Sequence, residues 1–376
     1  MKIAIDISQI VYGTGVANYT KNLVKSLLRI DKKNEYLLIG YSLRLGKRLK
    51  EFEAELKQYK NFKFKVFPFP ITLASFVFNR IRIYPLDNLI GPIDIFHSSD
   101  WIQPPIKSKS TKKVTTVHDM VPFLFENSTH PKILNTQKNR FELLKKEVDV
   151  ILADSKTTKE DIIKFAEIPA EKIKVIYLGV SSDFKPQDDD KVSEILAKYK
   201  IKKPYILSVA TQEPRKNIQK LIDVFNKINE NFQGLTLVLV GKYGWGTEVS
   251  ASGNIKQTGF VRQEDLPALY SGARLFAYPS FYEGFGLPIL EAMACGLPVI
   301  TSNNSSMAEI AKDAAILIDP RNESQMKKAI EMVLSLNLEN YQKMVRASMD
   351  RAREYTWQKT ARQTLDAYEE LFSSKD

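Results

Sequence analysis

The stretch FYEGFGLPILEAMACGLPVITSN, residues 281–303, places two glutamates eight residues apart in a mostly apolar segment. The apolar run LFAYPS (275–280) before it predicts a buried strand, so Glu283 follows the carboxyl end of that strand. Pro288 suits the first turn of a helix, because no backbone N–H is needed there. We therefore predict a strand, a glycine-rich loop and a helix. Glu291 is expected in the first helical turn, close to Glu283, where the positive end of the helix dipole favours a carboxylate.

Short apolar runs alternate with helical periodicity on both sides of this segment. The runs that we predict as strands are 2–7, 35–40, 62–69, 94–99, 113–119 and 148–155 in the first half, and 204–210, 235–241, 275–280, 297–302 and 314–319 in the second. Apolar strands separated by helices imply parallel sheets that are covered on both faces. Two such series in 376 residues imply an α/β chain with two doubly wound domains, joined by a polar linker at 181–191.

The net charge of +11 is concentrated in the first half of the chain. Residues 1–185 hold 31 Lys and Arg against 20 Asp and Glu, a difference of +11, while residues 186–376 hold 24 of each. Such a field attracts acidic membranes, polyphosphates or nucleic acids, although a solvated lysine-rich surface gives the same count. No RNA- or DNA-binding motif accompanies the charge, so we expect no nucleic-acid partner. The single cysteine, Cys295, argues against a disulfide and a cysteine-built metal site, which fits a cytoplasmic protein.

Basic and glycine-rich residues follow two other predicted strands. Arg215 and Lys216 come after the strand 204–210 and before a helix, where they either hold phosphate oxygens or form an exposed basic turn. Gly13 and Gly15 suit a turn that brings backbone amides near an anion, or a simple strand-to-helix turn. Ligands of open α/β sheets bind outside the carboxyl ends of the strands. Two carboxylates for hydroxyl groups, with amides and a basic pair for a diphosphate, together complement a sugar nucleotide.

The segment EGFGLPILEAMACGLPVI resembles the glutamate–seven residues–glutamate signature of the retaining glycosyltransferases of family 4. Shorter motifs agree with it: GTG at 13–15, HD at 118–119, EPRKN at 213–217, TGFV at 258–261 and the closing segment 355–372. The resemblance implies the GT-B fold, in which two Rossmann-like domains face a central cleft. Residues 1–185 would form the acceptor-binding domain and residues 186–355 the domain that binds the nucleotide sugar. A C-terminal helix within 356–376 would cross back to the N-terminal domain.

Carried over position by position, the resemblance implies a catalytic set and a donor-binding set. Glu283 would bind a hydroxyl of the donor sugar, and His118 would face that sugar from the N-terminal domain. Arg215 and Lys216 would neutralise the diphosphate as it leaves. Glu291 would bind the ribose hydroxyls. The remaining residues would contact the donor largely through their backbone: Phe285, Gly286 and Leu287 at the sugar and phosphates, Gly259, Phe260 and Val261 along the nucleobase, and Gly13 and Gly15 near the diphosphate.

The resemblance further implies a retaining hexosyl transfer that needs no metal and no cofactor besides the donor. The one DxD-like run, Asp188–Asp190, lies in the predicted linker, where we expect a solvated acidic stretch. The EPRKN variant resembles mannosyltransferases of surface-polysaccharide assembly. We therefore expect GDP-mannose as the donor and a glycan or lipid-linked acceptor.

The segment 61–85 interleaves basic and aromatic residues and has two interpretations. One is a surface that contacts an anionic membrane, with the protein peripheral at its inner face; the other is a strand and helix of the N-terminal core. The function also has an alternative, a sugar-nucleotide epimerase of the same fold, which would isomerise the donor without an acceptor. A glycan phosphorylase would need a pyridoxal-binding lysine and a longer chain.

Overall fold

The computed structural model describes residues 1–43, 46–98, 100–242, 244 and 253–373. The chain divides into two compact units. The first unit comprises Met1–Gly179 together with Trp357–Asp376, and the second unit comprises Val180–Thr356. Each unit is built on one parallel sheet, as the alternation of apolar strands and helices predicts.

The sheet of the first unit has seven strands among the described residues. In chain order they are β1 Lys2–Asp6, β2 Glu35–Tyr41, β3 Phe62–Phe67, β4 Ile95–Ser98, β5 Lys112–Val117, β6 Val150–Ala153 and β7 Ile173–Val175. Their spatial order is β3-β2-β1-β4-β5-β6-β7, and every neighbouring pair is parallel. The order reverses between β1 and β4, where Ile3 lies beside both Tyr36 and Ile95. The central strands are rich in buried Val, Ile and Leu, as expected for a sheet covered on both faces.

The helices of the first unit cover this sheet. In chain order they are α1 Gly15–Ile30, α2 Gly46–Glu55, α3 Ile71–Phe76, α4 Asp87–Ile90, α5 Val121–Leu124, α6 Pro131–Glu147 and α7 Lys156–Ala166. α1 buries Tyr19, Leu23 and Leu27 at intervals of four residues, so one face of the helix packs inward. α7 begins where the Ser155 side chain accepts a hydrogen bond from the Thr158 backbone N–H, a side-chain cap that satisfies one free donor of the first turn.

The sheet of the second unit has six strands in the part of the chain that is described. They are β8 Tyr205–Val209, β9 Thr236–Val240, β10 Ile255–Gly259, β11 Leu275–Tyr278, β12 Val299–Ser302 and β13 Ile316–Ile318. Their order is β10-β9-β8-β11-β12-β13, again parallel throughout, and it reverses between β8 and β11. That reversal is the position at which open α/β sheets bind their ligands.

The helices of the second unit are α8 Asp189–Tyr199, α9 Ile218–Asn229, α10 Leu266–Gly272, α11 Leu287–Ala294, α12 Ser305–Ala311, α13 Glu323–Leu334 and α14 Leu338–Arg353. α9 and α13 pack on one face of the sheet, where Leu221, Phe225 and Ile330 belong to a single buried cluster with the strands. This rigid core positions the loops that follow β8 and β11.

The last helix, α15 Trp357–Ser373, belongs to the first unit although it follows the second in sequence. It packs against α1, where the rings of Trp357 and Tyr19 lie 6.1 Å apart. The Thr360 hydroxyl donates to the Tyr177 carbonyl oxygen at 2.7 Å. The chain therefore leaves and re-enters the first unit close to residue 179.

The predicted linker at 181–191 is wrong over its last residues, because α8 begins inside it. The Asp188 side chain accepts a hydrogen bond from the Lys191 backbone N–H at 2.8 Å, and Asp189 and Asp190 lie in the first helical turn. A carboxylate cap and acidic residues at a helix N-terminus are both stabilising, so the acidic run starts a helix instead of remaining a solvated coil.

No helix among the described residues has the length and hydropathy needed to cross a bilayer.

Candidate functional site

Two loops meet at the carboxyl ends of β8 and β11 in the second unit. A short 3-10 turn, Pro214–Lys216, follows β8, and the loop after β11 carries Glu283. The Phe281 N–H and the Ser280 hydroxyl both donate to the Arg215 carbonyl oxygen, at 2.8 and 3.0 Å. These bonds hold the two loops together at the reversal in strand order.

Glu283 lies at the centre of a buried polar cluster. Only 8% of the residue is exposed, and its carboxylate lies 2.7 Å from the Lys216 ammonium and 3.0 Å from the Arg215 guanidinium. The Tyr278 hydroxyl donates to the same carboxylate at 3.0 Å. The Ser305 hydroxyl accepts from the Glu283 backbone N–H at 3.2 Å. The structure thus brings together three of the four residues predicted to be catalytic.

The two cations decide the charge state of Glu283. Burial alone would raise the pKa of this carboxyl, but Lys216 and Arg215 outweigh burial and lower the pKa to about 2. Burial lowers the pKa of Lys216, an effect that the Glu283 carboxylate opposes. Glu283 is therefore ionised at neutral pH, and its carboxylate accepts hydrogen bonds from donors that surround it.

The cluster is electrically balanced before any ligand enters. Arg215 also donates to Glu213 at 2.5 Å, so two cations face two carboxylates. The Lys216 ammonium donates to Glu283 and to Tyr278, at 2.7 and 3.0 Å. An ammonium has three N–H groups, and no acceptor within the described part of the chain takes the third. Lys216 can therefore donate to a ligand without releasing Glu283.

Glu291 makes a separate contact and differs from the prediction. α11 begins at Leu287, because Gly286 occupies the cap position with φ +100°, so Glu291 is the fifth helical residue and lies beyond the first turn. Its carboxylate accepts from the Tyr270 hydroxyl at 3.0 Å. Burial raises the pKa of Glu291 to about 7, although the Tyr270 hydrogen bond opposes this rise. The prediction that Glu291 lies in the first helical turn, where the helix N-terminus would stabilise its carboxylate, is therefore wrong.

The three predicted backbone contacts around α11 differ in exposure. Phe285 is buried and its ring meets that of Tyr355 edge to face at 6.1 Å. Gly286 has a backbone conformation that other residues rarely adopt, and an added Cβ would lie 3.2 Å from the Ile289 side chain. Leu287 is partly exposed and opens the helix. The glycine thus sets the turn that presents the start of α11 to the loop after β11.

The predicted nucleobase residues lie at the end of β10, the edge strand of the sheet. Gly259 ends this strand with φ +67°, and its carbonyl oxygen accepts from the Gly241 N–H at 2.9 Å. Phe260 is 65% exposed, with the Lys242 ammonium 5.1 Å from its ring centre. Val261 is buried. An exposed aromatic ring beside a cation can stack with a planar base.

His118 lies in the first unit, directly after β5. Its Nδ1 is 2.7 Å from the Asp154 carboxylate, which follows the neighbouring strand β6. Burial disfavours the imidazolium, but Asp154 outweighs this effect and raises the pKa of His118 to about 9. The Tyr19 ring meets the imidazole edge to face at 4.6 Å. His118 is therefore a charged hydrogen-bond donor at neutral pH.

Gly13 and Gly15 form the turn between β1 and α1. A 3-10 helix, Ser8–Tyr12, precedes them, and Gly13 ends it with φ +65°. A Cβ at Gly13 would lie 2.8 Å from the Arg48 guanidinium, which donates to the Val11 carbonyl oxygen. Apart from its chain neighbours and its own helix, no atom of the described residues lies within 4 Å of a Cβ at Gly15, the first residue of α1. Gly13 is thus fixed by conformation and packing, whereas Gly15 faces open space.

Among the described residues, no three His, Cys, Asp or Glu side chains are grouped so that they could hold a metal ion.

The comparisons with known proteins identify the family. The model for group 1 glycosyl transferases matches residues 191–351, and the model for glycosyltransferase family 4 matches residues 13–184. O-antigen chain mannosyltransferase B of Escherichia coli is 34% identical over 290 residues, which cover 74% of this chain and 74% of that protein. The chain belongs to the family 4 glycosyltransferases.

Two further relatives extend this result. The serotype-specific mannosyltransferase WbdA of Escherichia coli is 27% identical over 281 residues. These residues cover 70% of this chain and 34% of that longer protein. HepE of Anabaena, solved in complex with UDP and glucose, has a TM-score of 0.74 at 17% identity over 98% of this chain and 100% of its own. At that identity the likeness shows the fold alone.

The predicted family and GT-B fold are confirmed, and the epimerase alternative is not favoured. This glycosyltransferase takes its sugar from a nucleotide-sugar donor.

Sequence reasoning missed the partners of the predicted residues. Asp154 is the next-to-last residue of the run VDVILADS (148–155), so the sequence indicates its position at the carboxyl end of β6, but its proximity to His118 depends on strand order. Tyr278 is the last residue of β11 and points to Glu283, a contact that no sequence motif signals. Glu213 was inside the quoted EPRKN motif and could have been chosen as the partner of its basic pair.

Proposed function

We propose that the protein transfers mannose from GDP-mannose to a glycan or lipid-linked glycan, with retention of anomeric configuration and without a metal ion. The observation that carries the proposal is the contact of Glu283 with Arg215 and Lys216 at the strand reversal of the second unit. The mannosyl specificity is supported by relatives that are named as mannosyltransferases.

Arg215 and Lys216 act on the leaving diphosphate in this proposal. Breaking the bond between the anomeric carbon and the phosphate oxygen builds negative charge on the diphosphate. Fixed cations stabilise that charge in the transition state more than in the ground state. The third N–H of Lys216 supplies a contact to the phosphate, and the Leu287 N–H at the start of α11 supplies another. This pair of cations takes the place that a metal ion holds in other transferases.

Glu283 orients the donor sugar. Its low pKa keeps the carboxylate ionised, so it accepts hydrogen bonds from sugar hydroxyls at neutral pH. The negative charge also stabilises the positive character that develops on the sugar ring.

The acceptor attacks from the face that the diphosphate leaves, which gives retention. The bond from the anomeric carbon to the acceptor oxygen forms as the bond to the phosphate oxygen breaks, and the departing phosphate oxygen takes the acceptor proton. Glu291 binds the ribose hydroxyls, and Gly259, Phe260 and Val261 line the base. We propose that the His118 side chain donates a hydrogen bond to the sugar of the nucleotide-sugar substrate, and its imidazolium charge supports this role. Gly13 and Gly15 remain proposed contacts of the diphosphate.

Thermal stabilisation by a panel of GDP, UDP, ADP and their sugar conjugates, with and without EDTA, tests the donor and the metal. A ligand that binds only the folded state raises the melting temperature by mass action. We expect a shift that is selective for GDP and unchanged by EDTA. A shift selective for UDP would refute GDP-mannose, and a shift that EDTA abolishes would refute metal independence.

Glu283→Ala tests the role of the carboxylate. We expect turnover to fall severely while the affinity for GDP stays nearly unchanged, because Glu283 binds the sugar and not the nucleotide. Turnover is measured at saturating donor on protein whose folding has been verified. Loss of GDP binding with unchanged turnover at saturation would contradict the assignment.

A further inference from the structure

The outer side of residues 71–84 in the first unit is apolar, which is the reverse of an ordinary surface helix. α3 and the π-helical turn Val77–Ile81 form the first part of this segment, and residues 82–84 follow them outside any helix. Five of its large apolar side chains are exposed, and together we call them the apolar face: Leu73, Phe76, Ile81, Ile83 and Tyr84. Ile83 is 81% exposed. Several large apolar side chains exposed on one short segment mark an interaction site.

The segment is firmly attached to the sheet, so the exposure of its outer side is not a fraying end. Phe78 is buried and its ring lies 5.7 Å from that of Tyr41 on β2. The Asn79 side chain donates to the Trp101 carbonyl oxygen at 2.7 Å and accepts from the Gln103 N–H at 2.8 Å. Ile71, Ala74 and Phe78 are buried at helical spacing, and Leu73, Phe76 and Arg80 face outward at the same spacing.

The chain around the apolar face is basic. Residues 56–86 contain six Lys and Arg and no Asp or Glu. Five exposed basic residues, which we call the basic border, lie on the apolar segment and on the two segments beside it: Lys63, Lys65, Arg80, Lys107 and Lys109.

Two sets of contacts join the two neighbouring segments to residues 87–89, which follow the apolar segment closely in the chain. The Lys65 ammonium donates to the Leu89 carbonyl oxygen. The Lys107 and Ser108 N–H groups donate to the Asp87 carboxylate, at 3.0 and 2.9 Å. The carboxylate nearest in sequence to the apolar face is thus already engaged by backbone donors.

We propose that the apolar face and the basic border form a surface that docks on an anionic lipid bilayer. Aromatic and aliphatic side chains enter the boundary between headgroups and acyl chains, while Lys and Arg pair with anionic headgroups. Charge complementarity selects this occupant, because a second copy would bring the same basic border against itself. The surface does not depend on the proposed donor or acceptor.

Cosedimentation of the full chain with lipid vesicles tests the proposal. The vesicles are phosphatidylcholine alone or with about 30% phosphatidylglycerol, at low and high salt. We expect binding to the anionic vesicles that weakens as salt is added, and little binding to the neutral ones. Absence of binding to anionic vesicles at low salt would overturn the proposal.

Paired variants locate the surface. Ile83→Glu should weaken vesicle binding about tenfold or more, because it removes an inserted side chain and adds a repelled charge. Leu338→Glu, at a site 70% exposed in the second unit, is the matched control and should bind as the wild type does. Arg80→Gln and Lys328→Gln make the same comparison for charge. Arg80→Gln, in the basic border, should weaken vesicle binding, and the control Lys328→Gln, in the second unit, should bind as the wild type does.

Folding and association are checked on the same proteins. Ile83→Glu should keep the wild-type melting temperature, since the side chain is solvent-exposed. Equal binding by Ile83→Glu and the wild type would overturn the proposal. The proposal would also be overturned if the wild type does not bind vesicles and instead forms a dimer, seen by sedimentation equilibrium, that Ile83→Glu dissociates.

Discussion

Replacing Glu283 with Gln removes one carboxylate charge from a buried cluster while keeping its shape. The folded pKa of Glu283 is about 2, against an ordinary value of 4.5. At 1.36 kcal/mol per pKa unit, the ionised form contributes about 3 kcal/mol to the free energy of unfolding at neutral pH. The variant also leaves Arg215 and Lys216 facing Glu213 alone, with a net positive charge.

The expected loss has a defined size and pH dependence. For a unit of this size, about 3 kcal/mol corresponds to a fall in melting temperature of about 6–12 °C. The folded pKa lies below the unfolded pKa, so this stability is present above pH 4.5 and is lost as the pH falls toward 2. At pH 3 it should have fallen to about 1 kcal/mol. The difference between wild type and variant is therefore larger at pH 7 than at pH 3.

Differential scanning calorimetry at pH 7 and pH 3 measures this difference for the transition of the second unit. Glu264→Gln is the control, because Glu264 pairs with Arg262 at 3.3 Å on the surface, where both side chains are about 70% exposed. It should change the melting temperature little at either pH. An unchanged melting temperature of Glu283→Gln at pH 7, or a loss as large at pH 3 as at pH 7, would refute the reasoning.

Three further predictions concern groups outside the Glu283 cluster. If Glu291 binds ribose as a carboxylate, its pKa of about 7 means that donor affinity falls about tenfold from pH 8 to pH 6, and Glu291→Gln should abolish this dependence in calorimetric titrations. Asp154→Asn should lower the pKa of His118 from about 9 toward its ordinary value of 6.5, because Asp154 is the strongest of the groups that oppose the effect of burial; an NMR titration in which it stays above 8 would contradict this. Gly241→Ala should destabilise the fold by about 3 kcal/mol or more, since its Cβ would lie 1.9 Å from a backbone carbonyl oxygen at φ +136°, whereas Gly15→Ala should be tolerated in the same denaturant titration.

The sequence predicts the fold because its strands are nearly continuous apolar runs and its helices carry one apolar face. The residues that follow β8 and β11 can also be identified from the sequence. They place Glu283, Arg215 and Lys216 at one edge of the sheet. Chain order alone does not show that these strands are neighbours. The direct contact of the three side chains therefore needed the structure.

Contacts that depend on exact register could not be predicted. The sequence predicts Glu291 in the first turn of α11, but the left-handed Gly286 caps the helix so that it begins at Leu287 and Glu291 is its fifth residue. Its pKa follows from burial beside Tyr270, a residue on another helix. The Asp154–His118 pair likewise requires that β5 and β6 lie side by side. Each case couples residues through tertiary packing, which leaves no local pattern.

The most direct test of the donor site is the affinity of Lys216→Met for nucleoside mono- and diphosphates, measured by isothermal titration calorimetry with GDP, UDP, ADP and their monophosphates. The wild type should bind one diphosphate at least about tenfold tighter than its monophosphate, because Lys216 and Arg215 hold the second phosphate. Lys216→Met should lose most of that preference, and the exposed control Lys328→Met should keep it. An equal preference for the diphosphate in wild type and Lys216→Met would contradict the assignment of this cluster as the diphosphate site.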